Sequence, residues 1–143
     1  MRTLARNIGS ERTFAKRIFD AAHYQSVSGS GMKGLNQLHE EQKGLKATNP
    51  AYPWQIHENV IPQGGNFTEN GYTSEEDKLI FETNKILHSS IKLTSTVARV
   101  PVYGGHSEAA NVEFNKPFDL QDVFQLLNNF PGVKVVDNPS QNL

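Results

Sequence analysis

Residues 91–103 read IKLTSTVARVPVY, and the fold class rests on them. Their β-branched side chains suit a pleated, half-buried surface, and the run is long enough for a substantial strand. Pro101 limits the ladder bonds its far end can make. Immediately upstream, Thr73-Ser74-Glu75-Glu76 forms a capping box. Thr73 is able to accept from the amide three residues on, while Glu76 reaches back, so a helix starts here. Leu79, Ile80, Ile86 and Leu87 then give it one apolar face to about residue 88. Downstream of Gly104-Gly105, Ala110, Val112 and Phe114 alternate with Asn111, Glu113 and Asn115, the pattern of a half-exposed strand.

Farther out the signals weaken. Leu120, Val123, Phe124 and Leu127 lie at i, i+3, i+4 and i+7 behind Asp119 as cap, and Pro131-Gly132 ends that helix. Val133–Val136 reads as a last short strand. Toward the amino terminus, residues 44–72 hold Pro50, Pro53 and Pro62 among several glycines, a long connection with room for one short strand near His57–Ile61. Gly34 to Lys43 reads as a helix through Leu35 and Leu38, and residues 22–28 as a strand ending in a loop. Residues 1–20, with Leu4, Ile8, Phe14, Ile18 and Phe19, fit a weak helix broken by Gly9-Ser10. Strands outnumber helices and alternate with them irregularly, so the expected class is α+β with a mixed β-sheet. The expected division is a segment 1–21, helical, and one domain over 22–143.

A chain of 143 residues fits one domain. The net charge of −1 gives no electrostatic reason to expect nucleic acid or an acidic membrane as partner. No apolar run approaches the roughly 20 residues needed to cross a bilayer, and residues 1–20 lack the apolar stretch of a secretory signal. The expected location is the cytoplasm. Cysteine is absent, which excludes disulfides, thiolate metal sites and a cysteine nucleophile within these residues. His23, His39, His57, His88 and His106 show no metal-ligand spacing, so no metal site is expected.

Gly29-Ser30-Gly31-Met32-Lys33-Gly34 matches G-x-G-x-x-G, yet no acidic residue at a strand end follows about 20 residues on to hold a ribose. A glycine turn presenting N–H groups to an anion and plain turn chemistry both remain open. Glu75, Lys78, Glu82 and Lys85 share one helical face, which by itself suits a solvated stripe of ion pairs. Arg99 lies inside an otherwise apolar strand, where its guanidinium either bonds a planar anion with both prongs or points to solvent from an edge. His106 follows a Tyr103-Gly104-Gly105 turn that can bring its imidazole back to the strand end. Such a histidine can give and take a proton near neutrality, or simply sit on the surface.

Four blocks together, YQSVSGSGMKG at 24–34, ENGYTSEEDKLIFETNKIL at 69–87, ARVPVYGGHSEAANVEF at 98–114 and PGVKVVDNPSQN at 131–142, resemble aspartate-semialdehyde dehydrogenase, in the family's order and over four-fifths of the chain. The resemblance implies that family's dimerisation-domain fold, with helices packed on one face of the sheet. It also implies NADPH-dependent reductive dephosphorylation of L-4-aspartyl phosphate to L-aspartate 4-semialdehyde, a step toward lysine, threonine and methionine. It assigns His106 as acid–base residue and Gln25 as substrate-orienting beside the reacting thiol. Arg99 would clamp the α-carboxylate, Glu75 the amino end and Lys78 the phosphate, while Ser28 and Gly29 would contact the NADP cofactor. Glu82 and Lys85 stay structural. The family's nucleophilic cysteine would fall just before Met1, and its cofactor domain and carboxy-terminal helix have no counterpart in these residues. The expectation is a partial enzyme, inactive alone. Two other readings are a module that forms a homodimer or pairs with a complementary subunit, and an unstable gene remnant.

Overall fold

The computed structural model describes residues 15–142, with residues 15–21 described through their backbone alone. Strand β1 (Ala15–Gln25) leads through a 3₁₀ turn (Val27–Ser30) into helix α1 (Gly31–Gln42). After a long connection come helix α2 (Ser74–Leu87), strands β2 (Lys92–Arg99) and β3 (Ser107–Phe114), and helix α3 (Leu120–Asn128). The sheet order is β2-β1-β3, with β1 parallel to β2 and antiparallel to β3. The mixed sheet and three helices make the α+β class that the strand at 91–103 led us to expect. Among the described residues no helix is long and apolar enough to cross a membrane.

Two expectations are corrected. Helix was expected over 1–20; residues 1–14 lie outside the described residues, and from Ala15 the chain is already in β1, the central strand. Ladder bonds on both sides override the weak local helical spacing there. Val133–Val136 has strand composition but joins no ladder among the described residues, and a strand needs a partner for its backbone groups. Lesser differences concern ends. The strand through 91–103 stops at Arg99, before Pro101, and α1 begins at Gly31 rather than Gly34. The short strand near 57–61 reduces to one antiparallel bridge, Ile61 with Arg99.

A small apolar core of Val27, Leu38, Ile56 and Ile61, with Leu35 and Tyr52 against it, ties the 3₁₀ turn and α1 to the connection. Polar side chains fix that connection. Gln37, almost fully buried, accepts from the N–H groups of Ala51 and Tyr52 (2.8 and 2.9 Å) and donates to the Trp54 carbonyl (3.1 Å). One turn on, Glu41 accepts from Ile56 and His57 N–H (2.8 and 2.9 Å). Each bond satisfies backbone that a loop packed against a helix would otherwise leave unpaired. Farther along, the free N–H groups of Ser74 and Glu75 at the start of α2 donate to the carbonyls of Asn66 (2.8 Å) and Gly64 (3.2 Å). This close approach needs a glycine: a Cβ on Gly64 would stand 2.6 Å from a Val97 methyl.

The expected capping box at Thr73 is present. Glu76 Oε2 accepts from the Thr73 N–H (2.7 Å) and hydroxyl (2.8 Å), while Oε1 accepts from Val97 N–H in β2 (3.0 Å). One carboxylate therefore both starts α2 and anchors it to the sheet. Burial pushes the Glu76 carboxyl pKa up, but the bonds from Thr73 and Val97 prevail against it and against nearby Asp77, leaving it below the usual glutamate value.

Candidate active site

Three strand ends meet at one rim of the sheet. Parallel pairing sets Gln25, the last residue of β1, beside Arg99, the last of β2. Antiparallel pairing sets Tyr24 beside Ser107, the first residue of β3, so His106 arrives at the same place from the other side. The 3₁₀ turn that follows β1 passes beneath them, and the tethered connection brings Tyr52 over. The result is a cavity of about 560 Å³ whose lining includes Gln25, Gly29, Tyr52, Glu75, Lys78, Arg99 and His106. Residues as far apart as Gln25 and His106 are thereby gathered around a space within the range of small-molecule sites.

Arg99 is held from three directions. Its Nη1 donates to the Ser26 carbonyl (2.8 Å), its guanidinium carbon stands 5.6 Å from the centre of the Tyr52 ring, and its backbone pairs with Ile61. Its Nε is buried and has no hydrogen-bond partner, and no carboxylate pairs with it among the described residues. A planar cation fixed by neutral groups, with donors left over, is suited to receive a carboxylate or phosphate. Gly29 makes this geometry possible, because a Cβ there would fall 2.9 Å from Arg99 Nη1 and 3.5 Å from the His106 ring.

His106 turns Nδ1 toward Ser26, whose N–H donates to it (3.3 Å) and whose Oγ lies 3.1 Å away. Behind it, His23 meets the His106 ring edge-on at 5.3 Å. Glu108 Oε1 lies 3.3 Å from His23 Nδ1 but off the hydrogen-bonding direction, so that nitrogen forms no such bond. Glu75 and Lys78, which also line the cavity, form an i,i+3 pair at 3.7 Å, open enough to solvent that it contributes little to stability.

Of the residues singled out from sequence, Gln25, Gly29, Glu75, Lys78, Arg99 and His106 border the cavity. Ser28 does not; it is exposed at the turn, with its hydroxyl 2.9 Å from that of Ser26. Glu82 and Lys85 lie outside the cavity. Of the 29–34 glycines, the N–H of Gly29 donates to the Ser26 carbonyl and that of Gly31 to the Ser28 carbonyl, so here these donors serve the turn itself. Sequence reasoning missed Ser26 and Tyr52. Ser26 lies within the 24–34 block and was passed over as loop. Tyr52 depends on the Gln37 and Glu41 tethers, whose only trace in sequence is two hydrogen-bonding residues at i, i+4 on α1. No group of three or more His, Cys, Asp or Glu suited to a metal gathers among the described residues.

Comparison with known proteins bears on this arrangement. Residues 13–143 match the family described as semialdehyde dehydrogenase, dimerisation domain. Aspartate-semialdehyde dehydrogenase of Legionella pneumophila is 44% identical over 139 residues, covering 88% of this chain and 40% of the relative. That of Helicobacter pylori (strain ATCC 700392 / 26695) is 41% identical over 136 residues, covering 84% and 39%. Among solved structures, aspartate semialdehyde dehydrogenase II of Vibrio cholerae complexed with ASA superposes with a TM-score of 0.77 at 39% identity, over 84% of this chain and 37% of that one. The Candida albicans enzyme with NADP gives 0.54 at 25% identity, over 81% and 28%. The chain spans about 40% of the length of the curated relatives it matches.

Proposed function

The chain belongs to the semialdehyde dehydrogenase family through its dimerisation domain, and from that premise we propose that it is the substrate-holding and subunit-pairing part of a cytoplasmic aspartate-semialdehyde dehydrogenase. The observation that carries the reading is the single cavity in which Arg99, Lys78, Glu75, His106 and Gln25 converge. L-4-Aspartyl phosphate has a carboxylate, an ammonium and a phosphoryl group. Arg99 offers donors to the carboxylate, Glu75 an acceptor to the ammonium, and Lys78 a point charge to the phosphoryl oxygens, leaving its partner as the ligand enters. His106, which lines the cavity while its Nδ1 faces Ser26, is the acid–base group. Gln25, buried and lining the cavity, orients the reacting carbonyl with its amide.

These 143 residues contain no thiol, so the nucleophile that forms an acyl-enzyme in this chemistry has to come from sequence beyond them, and so does most of a dinucleotide site. Gly29, with no side chain beside the guanidinium and imidazole, and Ser28, exposed on the same turn, fit a flat ring laid over the cavity mouth, where NADPH would supply hydride. Aspartate 4-semialdehyde is the product to be held, and phosphate the group released.

The test is ligand binding rather than turnover, which is not expected of a polypeptide without cysteine. Titration of the labelled chain with L-aspartate 4-semialdehyde should shift the amide resonances of the cavity residues. Arg99→Ala should weaken that binding by about 2–3 kcal/mol, roughly 30- to 150-fold, by removing charge-assisted bonds. Glu82→Ala should leave it within twofold. Equal binding by wild type and Arg99→Ala would end the clamp assignment, and no binding by wild type would end the reading.

A further inference from the structure

Tyr52 belongs to the connection between α1 and α2, yet its hydroxyl and its backbone are both tied. The hydroxyl donates to Ser30 Oγ (2.8 Å), and the N–H donates to Gln37 Oε1 (2.9 Å). A Cβ on Gly34 would stand 3.0 Å from the hydroxyl oxygen, so glycine there leaves the side chain its place. The ring so held lines the cavity, with the Arg99 guanidinium carbon over its face, 5.6 Å from the centre. We propose that Tyr52 is the positioning residue of the carboxylate clamp, its ring setting the plane of the Arg99 guanidinium so that the site prefers ligands bearing a carboxylate. This rests on the reading of Arg99 as the group that holds the substrate's carboxylate.

The reason lies in what a guanidinium clamp needs. One hydrogen bond, from Nη1 to the Ser26 carbonyl (2.8 Å), fixes a point and leaves the plane free to tilt about it. A carboxylate neighbour would stop the tilt but occupy the donors that a ligand needs. An aromatic face attracts the cation through its quadrupole and takes up no N–H. Among the described residues no carboxylate pairs with Arg99. A set plane matters because both prongs must meet both oxygens at once, and a cation ordered beforehand loses less freedom when the ligand arrives. Gln37, almost fully buried on α1, thus stands at the far end of a line of contacts that runs through Tyr52 to Arg99 at the end of β2.

Tyr52 also packs against the small core of Val27, Leu38, Ile56 and Ile61, so a loss of affinity alone does not separate positioning from packing. Two ligands do. L-Aspartate 4-semialdehyde carries the carboxylate, and 3-aminopropanal is the same molecule without it. Tyr52→Leu keeps an apolar side chain against the core and removes the ring. It should weaken semialdehyde binding about five- to tenfold, through loss of a partly desolvated cation–π contact, and leave 3-aminopropanal binding within about twofold. Tyr52→Phe keeps the ring and should recover most of the affinity.

The Arg99 Nε–H resonance, identified by its loss in Arg99→Ala, reads the contact without any ligand. That nitrogen is buried, so its proton exchanges slowly with water. Ring current should displace the resonance in wild type and in Tyr52→Phe, and Tyr52→Leu should move it toward the position of a free arginine. Should Tyr52→Leu unfold, nuclear Overhauser contacts between the Tyr52 ring and the Arg99 side chain in the wild type decide, and their absence overturns the proposal. So does an equal loss of both ligands in a folded Tyr52→Leu protein, or an Nε–H resonance indifferent to it. A wild type that binds no semialdehyde but has a ring-dependent Nε–H removes the proposed function and keeps Tyr52 as the residue that sets Arg99. Semialdehyde binding that Tyr52→Leu leaves unchanged does the reverse.

Discussion

At Gly29 the absence of a side chain matters more than the φ freedom usually credited to glycine. An added methyl would stand 2.9 Å from Arg99 Nη1, the far end of a flexible side chain, and 3.6 Å from His106 Nε2. To make room the guanidinium must give up its 2.8 Å bond to the Ser26 carbonyl, so Gly29→Ala should cost about 1–2 kcal/mol and leave the chain folded. The displaced cation should also bind a carboxylate less well, and we expect the semialdehyde dissociation constant to rise about tenfold. Melting temperature and titration on the same preparation check both halves; a large loss of stability with unchanged affinity would mean that backbone, not Arg99, yields. Gly34 offers the contrast, since a Cβ there would meet the Val27 carbonyl at 2.5 Å, where nothing can swing. Residues of this scale divide by legibility. Arg99 and His106 stood out because a charge in an apolar strand and an imidazole after a glycine turn need explaining. Ser26 did not, because its bonds to His106 and Arg99 cross 80 and 73 positions and a loop serine announces neither.

The elements show the same division on a larger scale. Helix α2 was legible because its start is written locally, in a threonine followed three residues later by a glutamate. Strand β1 was not legible before residue 22, because its ladders run to residues about 75 and 95 positions away and nothing in residues 15–20 announces them. Val133–Val136 fails the opposite way, with the composition of a strand and no ladder among the described residues. What sequence did not disclose about α2 is that Glu76 also holds Val97, two residues before Arg99. Glu76→Ala removes bonds to two backbone amides, one at the cap, and should cost about 1–2 kcal/mol at neutral pH. The sign of the pH dependence is fixed by the lowered carboxyl pKa. The contribution is fully present above the ordinary glutamate value of about 4.3 and is lost as pH falls through the lower value of the folded state. Denaturant melts at about pH 7 and pH 3 should therefore show the gap between wild type and Glu76→Ala narrowing in acid. A constant gap would show that Glu76 acts by packing alone.

For the molecule as a whole, the pressing feature is how much of the sheet the described residues leave open. β3 is an edge strand among the described residues, and Ser107 through Val112 are exposed on both of its faces, Val112 being 40% accessible. Beyond β3, Phe118 and Leu120 are about half exposed. An uncovered edge with apolar neighbours is a place where chains pair or aggregate. In a family described by a dimerisation domain, the reading that fits is a surface made for another subunit, either a second copy or a longer relative. Sedimentation of the purified chain should then show a dimer at micromolar concentration. Val112→Asp should shift it toward monomer, since a carboxylate set into an apolar contact loses its hydration without a partner. The substitution lies at an exposed position, so thermal melting of the dissociated variant should remain cooperative, at a lower temperature because association no longer contributes. Two outcomes would reject pairing through β3: a wild-type chain that is monomeric and melts sharply, or a dimer indifferent to Val112→Asp. Broad melting with aggregation in both proteins would favour the gene-remnant reading, with nothing but nonspecific contact to cover the open sheet.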